Sequence, residues 1–358
     1  MKKIIMALVA VVALTLSACT SGVEDSSDSS GTAVAGAAKG VVPGTVQPEQ
    51  LRDIIHATMK DKRIAFVPLL YKGYKITQQW GAALQRVVEM EGGKFEVYDA
   101  NFDTDTMIRT IDGLIQSKGA DVLVLHNPDV SVLTNQIEAA KAAGIYTVVV
   151  NLMSSQTGDA FVGADTVSAS RDITYRAAQD CKAKGKTKVA MINGPGTNGF
   201  DQLFAKGVRM AAKDRGLEVV AETKSNYQVD LASQQATTLT EQYKSDLCAI
   251  ILPWDVLAIS AGKAVENAVS HGVVKAGEVG VYSLDASSDG CDAVRTGTIT
   301  ALASYDVPGI GSAAAVLVQT LLQTGIPAGQ VHVAAYVDHT VLDAKTVDTI
   351  TTACYTGA

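Results

Sequence analysis

From residue 62 onwards, short apolar runs alternate with longer stretches in which apolar residues recur at helical spacing. Runs such as RIAFVPLL (63–70) and CAIILPW (248–254) are nearly continuous in apolar residues. Such runs are typical of strands buried on both faces of a parallel sheet. A stretch such as ITQQWGAALQRVVEMEGG (76–93) has the periodicity of an amphipathic helix and ends in glycines. The alternation predicts an α/β protein in which parallel sheets are flanked by helices.

The alternation of strands and helices restarts at about residue 166. About 300 residues with this pattern are long for one doubly wound sheet, so two lobes are predicted. Trp80 lies on the apolar face of its helix and is predicted to belong to the core. His126 and His339 are interpreted as structural residues, because isolated histidines are more often structural than ligand contacts.

The N-terminus has the pattern of a secretory signal peptide over residues 1–18. Lys2 and Lys3 precede an apolar core that is shorter than the roughly 20 residues of a membrane span. The sequence LSAC ending at Cys19 resembles a bacterial lipobox, which implies that Cys19 is lipidated and becomes the mature N-terminus. The alternative is an ordinary signal peptide followed by a chance cysteine. Residues 19–47 are rich in Ser, Gly, Ala and Thr, and are predicted to be a lipid-anchored flexible tether.

The chain is acidic, with a formal net charge of -7, and it has no basic run. This balance argues against nucleic acid as a partner. No stretch after the N-terminus is predicted to be long and apolar enough to span a bilayer, so contact with the membrane is expected through the lipid anchor only. Four cysteines follow Cys19, and outside the cytosol they allow three disulfide pairings or remain free thiols: Cys181, Cys248, Cys291 and Cys354. Neither a Cys-x-x-Cys motif nor a histidine cluster indicates a metal site.

Gly194, Gly196 and Gly199 form a G-x-G-x-x-G motif between an apolar run and a helical pattern. This is the layout of a dinucleotide-binding turn, but the motif alone is a weak signal. Pro195 interrupts the turn, Glu222 is only loosely in the place of the expected acid, and an exported chain has no ready supply of nicotinamide. We therefore expect no cofactor, and interpret the turn as a ligand loop or, failing that, as a purely structural turn.

The ordered set of motifs resembles the type I periplasmic binding proteins, in the ribose- and galactose-binding, LacI-like group, over about residues 62–345. The motifs include GADVLVLHNPD, AGIYTVVVN, KVAMINGPGTNGFDQLFAKGVRMA, CAIILPWDVLAISAGKAVENA and VGVYSLDAS. The resemblance implies a two-lobed fold with three hinge crossovers. The implied boundaries are 62–165 plus 286–334 for lobe one, and 166–285 plus 335–358 for lobe two. A LacI-type repressor begins with a DNA-binding helix-turn-helix, whereas this chain begins with a lipobox.

Open parallel sheets bind ligands at the carboxyl ends of their strands, so polar and aromatic residues that follow predicted strands are the candidate contacts. In the first lobe the candidates are Tyr71, Lys72, Tyr74, Asn127 and Asn151. The remaining candidates are Asn198, Phe200, Asp201, Gln202, Gln234, Trp254, Asp255, Asp285 and Tyr305. The family often places aromatics after the first strand, where a ring stacks on the C–H face of a sugar.

The chain departs from the sugar-binding members of this group in its arginines. Asn151-Leu152 stands where they commonly carry Asp-Arg, and Asp201 or Gln202 stands where they carry a second arginine. The acceptors Asp201, Asp255 and Asp285 remain. The resemblance implies a small neutral ligand such as a sugar or polyol, and the missing arginines leave a partly apolar or cationic ligand open.

The resulting hypothesis is a solute-binding lipoprotein of an ABC importer, located in the periplasm or at the outer face of the cell membrane. We expect a monomer that binds one small molecule between its lobes and docks on an ABC permease. The alternative is a binding protein that signals to a chemoreceptor or sensor kinase. No Ser/His/Asp grouping or Gly-x-Ser-x-Gly turn indicates an enzyme.

Lipidation of Cys19 is testable by fractionation. We expect Cys19→Ala to release the protein in soluble form, because the chain then lacks the acceptor thiol. Membranes washed at high salt and probed for the protein measure the effect. A variant that still fractionates with washed membranes contradicts the lipobox interpretation.

Overall fold

The computed structural model describes residues 48–350 and 354–355. The predicted signal peptide, Cys19 and the tether lie outside the described residues. The strands are β1 (Arg63–Val67), β2 (Lys94–Val97), β3 (Val122–Leu125), β4 (Tyr146–Val150), β5 (Ala160–Ala164), β6 (Lys188–Asn193), β7 (Glu218–Lys224), β8 (Leu247–Leu252), β9 (Gly280–Leu284), β10 (Ala301–Tyr305), β11 (Val333–Val337) and β12 (His339–Asp343).

The helices alternate with these strands along most of the chain. They are α1 (Pro48–Met59), α2 (Lys75–Met90), α3 (Thr104–Gln116), α4 (Thr134–Ala142), α5 (Thr166–Ala183), α6 (Gly199–Arg215), α7 (Val229–Tyr243), α8 (Asp255–Ser270), α9 (Ser288–Thr296) and α10 (Val307–Thr324). A short 3₁₀ turn, Lys244–Asp246, links α7 to β8. The sequence analysis assigned no element to the residues of α1.

The strands form two six-stranded sheets with the same arrangement. The first sheet has the order β11-β5-β4-β3-β1-β2 and is parallel throughout. The second has the order β12-β10-β9-β8-β6-β7 and is parallel except for its edge strand β12, which pairs antiparallel with β10. We call each sheet with its flanking helices a lobe. The predicted α/β fold with two parallel-dominated sheets is confirmed.

Both sheets are covered by helices on both faces, which explains the continuous apolar runs. In the first lobe, α2 and α10 pack on one face and α3 and α4 on the other. In the second lobe, α7 and α8 cover one face and α5 and α6 the other. All the residues of β3 and of β8 are buried, as strands between two helical layers require. Trp80 is buried in the first lobe, as predicted.

The chain crosses between the sheets at places that differ from the expected boundaries. β10 pairs with β9 in the second sheet, although 286–334 was expected in lobe one. β11 pairs with β5 in the first sheet and extends past the expected boundary at residue 335. An apolar run predicts a buried strand but does not show which strand it pairs with. The pairing assigns the strand to a sheet, and it depends on the tertiary structure. The crossings follow β5, β10 and β11, and the Asp306 N–H donates to the Asp338 carbonyl 3.1 Å away, joining two of them.

Helix α10 has the length and apolar composition of a membrane span, contrary to the interpretation that no later stretch does. Its apolar residues instead serve the core of the first lobe. Ile310, Ala315, Val318 and Leu321 are fully buried, and Gly311 approaches the Trp80 backbone so closely that an added Cβ would lie 2.7 Å from its Cα. We therefore interpret α10 as a core helix.

The four cysteines form two disulfides, and both lie in the second lobe. Cys181 on α5 bonds Cys248 on β8, with Cα atoms 5.6 Å apart. Cys291 on α9 bonds Cys354 in the C-terminal segment, with Cα atoms 6.1 Å apart. The sequence left the pairing open because it depends on which elements meet in space.

The Cys181–Cys248 bond should contribute to the stability of the second lobe. It closes a loop with a sequence separation of 67, and we expect the double substitution Cys181→Ala and Cys248→Ala to lower the free energy of unfolding by about 2–4 kcal/mol. Denaturant unfolding monitored by circular dichroism measures the change. As a control, a reducing agent should shift the wild-type midpoint more than that of the variant. An unchanged midpoint in the variant contradicts the assigned bond.

Candidate functional site

The carboxyl ends of both sheets border one cavity of about 390 Å³. This volume lies within the usual range for small-molecule sites. The first lobe contributes Leu69, Tyr74, Ile76, Phe102, Thr104, His126, Pro128, Asn151 and Leu152. The second contributes Pro195, Thr197, Asn198, Phe200, Asn226, Tyr227, Pro253, Trp254, Asp285 and Tyr305. Each group follows the end of a strand, where parallel sheets bind ligands.

Seven of the predicted site residues line this cavity together: Tyr74, Asn151, Asn198, Phe200, Trp254, Asp285 and Tyr305. They come from six separate places in the chain, and the sheets bring them to one edge. Asn151 and Asp285 have left-handed backbone conformations, with φ of 63° and 75°. This conformation is uncommon for residues other than glycine, and here it turns the chain sharply after β4 and β9.

Tyr71, Lys72 and Asn127 are near the cavity in sequence but do not line it. The backbone N–H groups of Tyr71 and Lys72 donate to the Asp99 carboxylate at 2.9 Å each, so this carboxylate holds the loop after β1. The Tyr71 ring packs edge-on against Phe66, and Lys72 is exposed. Asn127 is fully buried and donates from Nδ2 to the Met153 carbonyl at 3.1 Å, which joins the loops after β3 and β4.

Asp201 and Gln202 belong to the glycine loop rather than to the cavity wall. Asp201 is fully buried and accepts from the Gly196 N–H at 2.8 Å and from the Tyr227 hydroxyl. Its carboxylate therefore shapes the loop from inside. Gln202 is exposed on α6, because it follows Asp201 by one position and points away from the buried face. Gln234 is exposed on α7.

Asp255 is also absent from the cavity wall. It is the first residue of α8 and is fully buried, with Trp254 in the N-cap position. Its Oδ2 accepts from the N–H and the hydroxyl of Ser287 at 2.7 and 2.6 Å, and its Oδ1 has no hydrogen-bond partner. These hydrogen bonds join α8 to the turn before α9. Asp255 therefore does not contact the cavity itself, and it affects the cavity through electrostatic repulsion of the Asp285 carboxylate.

The glycine motif allows two close approaches. A Cβ on Gly194 would lie 2.6 Å from both Asp201 carboxylate oxygens, so only glycine leaves room for this acid. A Cβ on Gly199 would lie 3.3 Å from Val130 and Met153 of the opposite lobe. Gly196 has φ of +80°, which glycine adopts without strain. The turn therefore shapes one wall of the cavity and lets the lobes approach.

Aromatic rings from both lobes meet across the cavity. The Tyr74 ring of the first lobe lies edge-on to Trp254 of the second, with ring centroids 6.5 Å apart. The Tyr227 ring of the second lobe also lies edge-on to Trp254, with ring centroids 6.1 Å apart. Beside them, Lys75 Nζ donates across the lobes to the Ser288 hydroxyl at 3.2 Å. The lobes are thus in contact around the cavity.

His126 and Tyr227 are the most informative residues that the sequence analysis missed. His126 was interpreted as structural, but it lines the cavity, and neither ring nitrogen has a hydrogen-bond partner. Burial lowers the pKa of His126 to about 4, so the ring is neutral near pH 7. Its position directly after β3 was the available signal. Tyr227 lies in the loop after β7, and its position after that strand was the available signal.

His339, the other histidine interpreted as structural, lies away from this cavity. Its Nε2 is 3.0 Å from the Asp172 carboxylate, near the crossing between β11 and β12.

Asp285 is the acid of the cavity, and its surroundings disfavour its charge. It is 3% exposed, and the Ala286 N–H donates to it at 2.9 Å. Burial, followed by the nearby Asp255 carboxyl, raises the pKa of Asp285 well above its ordinary value. No lysine or arginine lines the cavity in the part of the chain that the structure describes.

The cost of this buried acid is testable through the pH dependence of stability. Because folding favours the protonated form, the stabilisation from Asp285 is complete below the ordinary carboxyl pKa of about 3.9 and is lost as the pH rises through the raised pKa. We expect Asp285→Asn to melt a few degrees above wild type at pH 7, with the gap closing near pH 4. Thermal melts at several pH values measure it.

The matched control is Asp105→Asn, because Asp105 is exposed at the start of α3. It should show no comparable gap. If Asp285→Asn and wild type melt together at pH 7, Asp285 does not destabilise the fold.

Solved structures with similar folds include binding proteins of sugar transport systems. A periplasmic ribose ABC transporter protein from Conexibacter woesei is 19% identical, with a TM-score of 0.71 over 81% of this chain and 94% of that one. A glucose-galactose binding protein from Geobacillus stearothermophilus is 20% identical, with a TM-score of 0.70 over 80% and 98%. A solute-binding protein from Agrobacterium vitis, bound to α-D-tagatopyranose, is 17% identical, with a TM-score of 0.71 over 83% and 100%.

At these identities the likeness concerns the fold, which has the same two-lobed design. Among curated proteins, none matches this chain. The sequence of residues 64–326 matches the family described as periplasmic binding protein domain, which covers most of both lobes. The chain therefore belongs to the periplasmic binding protein family.

Proposed function

We propose that this protein is the extracytoplasmic solute-binding component of an ABC importer, and that it binds a small hydroxylated ligand of the sugar or polyol class. The observation that carries the proposal is the cavity of about 390 Å³ that residues of both lobes line at the carboxyl ends of the sheets. Family membership and the sugar-binding proteins of similar fold support it. The predicted signal peptide would direct export, and the predicted lipid at Cys19 would hold the mature protein beside a membrane permease.

The walls of the cavity suit such a ligand. The rings of Tyr74, Trp254 and Phe200 offer apolar faces on which the C–H groups of a sugar ring pack. Asn151, Asn198 and Asp285 add polar groups that accept or donate hydrogen bonds. A few polar groups among aromatic walls are the usual composition of a specific small-molecule site.

Binding and release require the lobes to separate, because contacts such as that between Lys75 and Ser288 close the cavity. The three crossings between the sheets are the places where such a hinge motion would occur. We propose that the ligand stabilises the closed form and that the permease reads this form. The transport role thus depends on closure as well as on affinity.

A screen by thermal shift and calorimetry tests the function. A sugar or polyol at 100 times its dissociation constant should stabilise the protein by about 2.7 kcal/mol. Trp254→Ala should weaken binding at least tenfold, about 1.4 kcal/mol, because it removes an aromatic wall. X-ray scattering should show a smaller radius of gyration with ligand bound.

The matched control is Tyr175→Ala, which removes a half-buried aromatic on α5 that contacts Asp214 and Arg215 away from the cavity wall. It should leave binding unchanged. Equal losses in both variants, or an unchanged radius of gyration at saturating ligand, contradict a closing cavity with Trp254 in its wall.

A further inference from the structure

The cavity holds an acidic side chain for which the protein supplies no positive partner. Asp285 lines the cavity and its neighbour Asp255 is fully buried behind it. Neither carboxyl forms an ion pair with any lysine, arginine or histidine in residues 48–350 and 354–355. Buried carboxylates are normally paired with a cation or bound to a metal, so this acid is left for something from outside.

The rings around Asp285 favour a cation. Tyr74, Tyr227 and Trp254 form a connected set with centroid separations of 6.1 and 6.5 Å, and Tyr305 lies in the same wall. The faces of such rings carry partial negative charge and attract ammonium groups, most strongly where water is excluded. An acid among aromatic rings is therefore a site for a positive group.

On the opposite wall of the cavity, buried polar atoms lack hydrogen-bond partners. The Asn151 Oδ1 is buried without a hydrogen-bond partner, and so are both ring nitrogens of His126, a residue that is 4% exposed. A neutral imidazole has one acceptor nitrogen and one donor nitrogen. Buried atoms of this kind are costly unless a ligand or water bonds them. Hydroxyl groups on the same ligand would form the missing hydrogen bonds with these atoms, because a hydroxyl both donates and accepts.

We propose that the ligand is an amine-bearing sugar or polyol, whose ammonium group lies between Asp285 and the aromatic rings and whose hydroxyls face His126 and Asn151. This inference rests on the proposed function and revises its neutral ligand. An ammonium group supplies the missing positive charge and three donors.

Proton release follows from this arrangement. The groups that face Asp285 are Asp255 from α8, Tyr74 from the start of α2, Tyr305 from β10 and Tyr355 from the C-terminal segment. Asp289 on α9 adds a second acid beside Asp255, and Lys75 is the nearby cation, bonded to Ser288. Burial, followed by the Asp255 carboxyl, raises the pKa of Asp285, and a bound ammonium favours its ionised form.

Calorimetry on the purified full-length protein tests the ligand class with matched compounds. The probes are D-glucose, D-galactose and sorbitol, their amino counterparts D-glucosamine, D-galactosamine and 1-amino-1-deoxysorbitol, and the two N-acetylated sugars. We expect at least one amine to bind ten or more times tighter than its neutral and N-acetylated counterparts. Titrations in buffers of different ionisation enthalpy should show proton release, and affinity should rise with pH over the range in which the ligand amine stays protonated.

Asp285→Asn should abolish the preference for the amine, while its melting curve shows that it folds. Asp105→Asn should keep the preference, since it removes an equal charge outside the cavity wall. Tight binding of a neutral compound without preference for its amine overturns this inference and leaves the proposed function standing. If no compound of either series binds, both fail. An amine preference that survives in Asp285→Asn overturns the role of Asp285.

Discussion

Parallel strands end at a common edge of their sheet, and this constraint decides where the protein can bind a ligand. Two such sheets direct their carboxyl ends to the same cavity, so loops from distant parts of the chain meet there. The side chains that follow β1, β3 and β4 face those that follow β6, β8 and β9. Because the strands themselves are held in continuous cores, the loops can carry polar and strained residues without loss of the fold.

The cavity concentrates features that a core would exclude. Asp285 is a buried acid without a cation, His126 has two unpartnered nitrogens, and Asn151 is held at positive φ. Each of these disfavours the folded state by itself, and a ligand that satisfies them recovers the energy as affinity. This is the physical reason to treat orphaned groups at strand ends as evidence of binding, whereas an orphaned group elsewhere indicates only local packing.

The second lobe is the more heavily cross-linked of the two. Both disulfides lie in it, and the Asp201 carboxylate braces the glycine loop through Gly196 and Tyr227. The Cys291–Cys354 bond also holds the C-terminal segment, where Tyr355 is buried near Asp285. The cross-links therefore lie in the lobe that holds Asp285 and its aromatic neighbours Tyr227, Trp254 and Tyr305.

Local sequence patterns were sufficient for the fold class and for the region of the site. Burial of a strand on both faces demands an apolar run, so the strands and the polar residues after them could be read directly. That is why Tyr74, Asn151, Trp254 and Asp285, which line the cavity, are candidates from the sequence alone. The lobes followed from the repeated alternation and from the resemblance to binding proteins.

Other features depended on partners that are remote in sequence. The apolar run 301–305 would suit a buried strand in either sheet. Only its pairing with β9 assigns it to the second sheet. Asp201 and Asp285 both follow strands, yet one carboxylate turns inward to Gly196 while the other faces the cavity. His126 differs from a core histidine only in what lies opposite it. Side-chain direction and the neighbours it meets are set by tertiary packing, so they appear only in the structure.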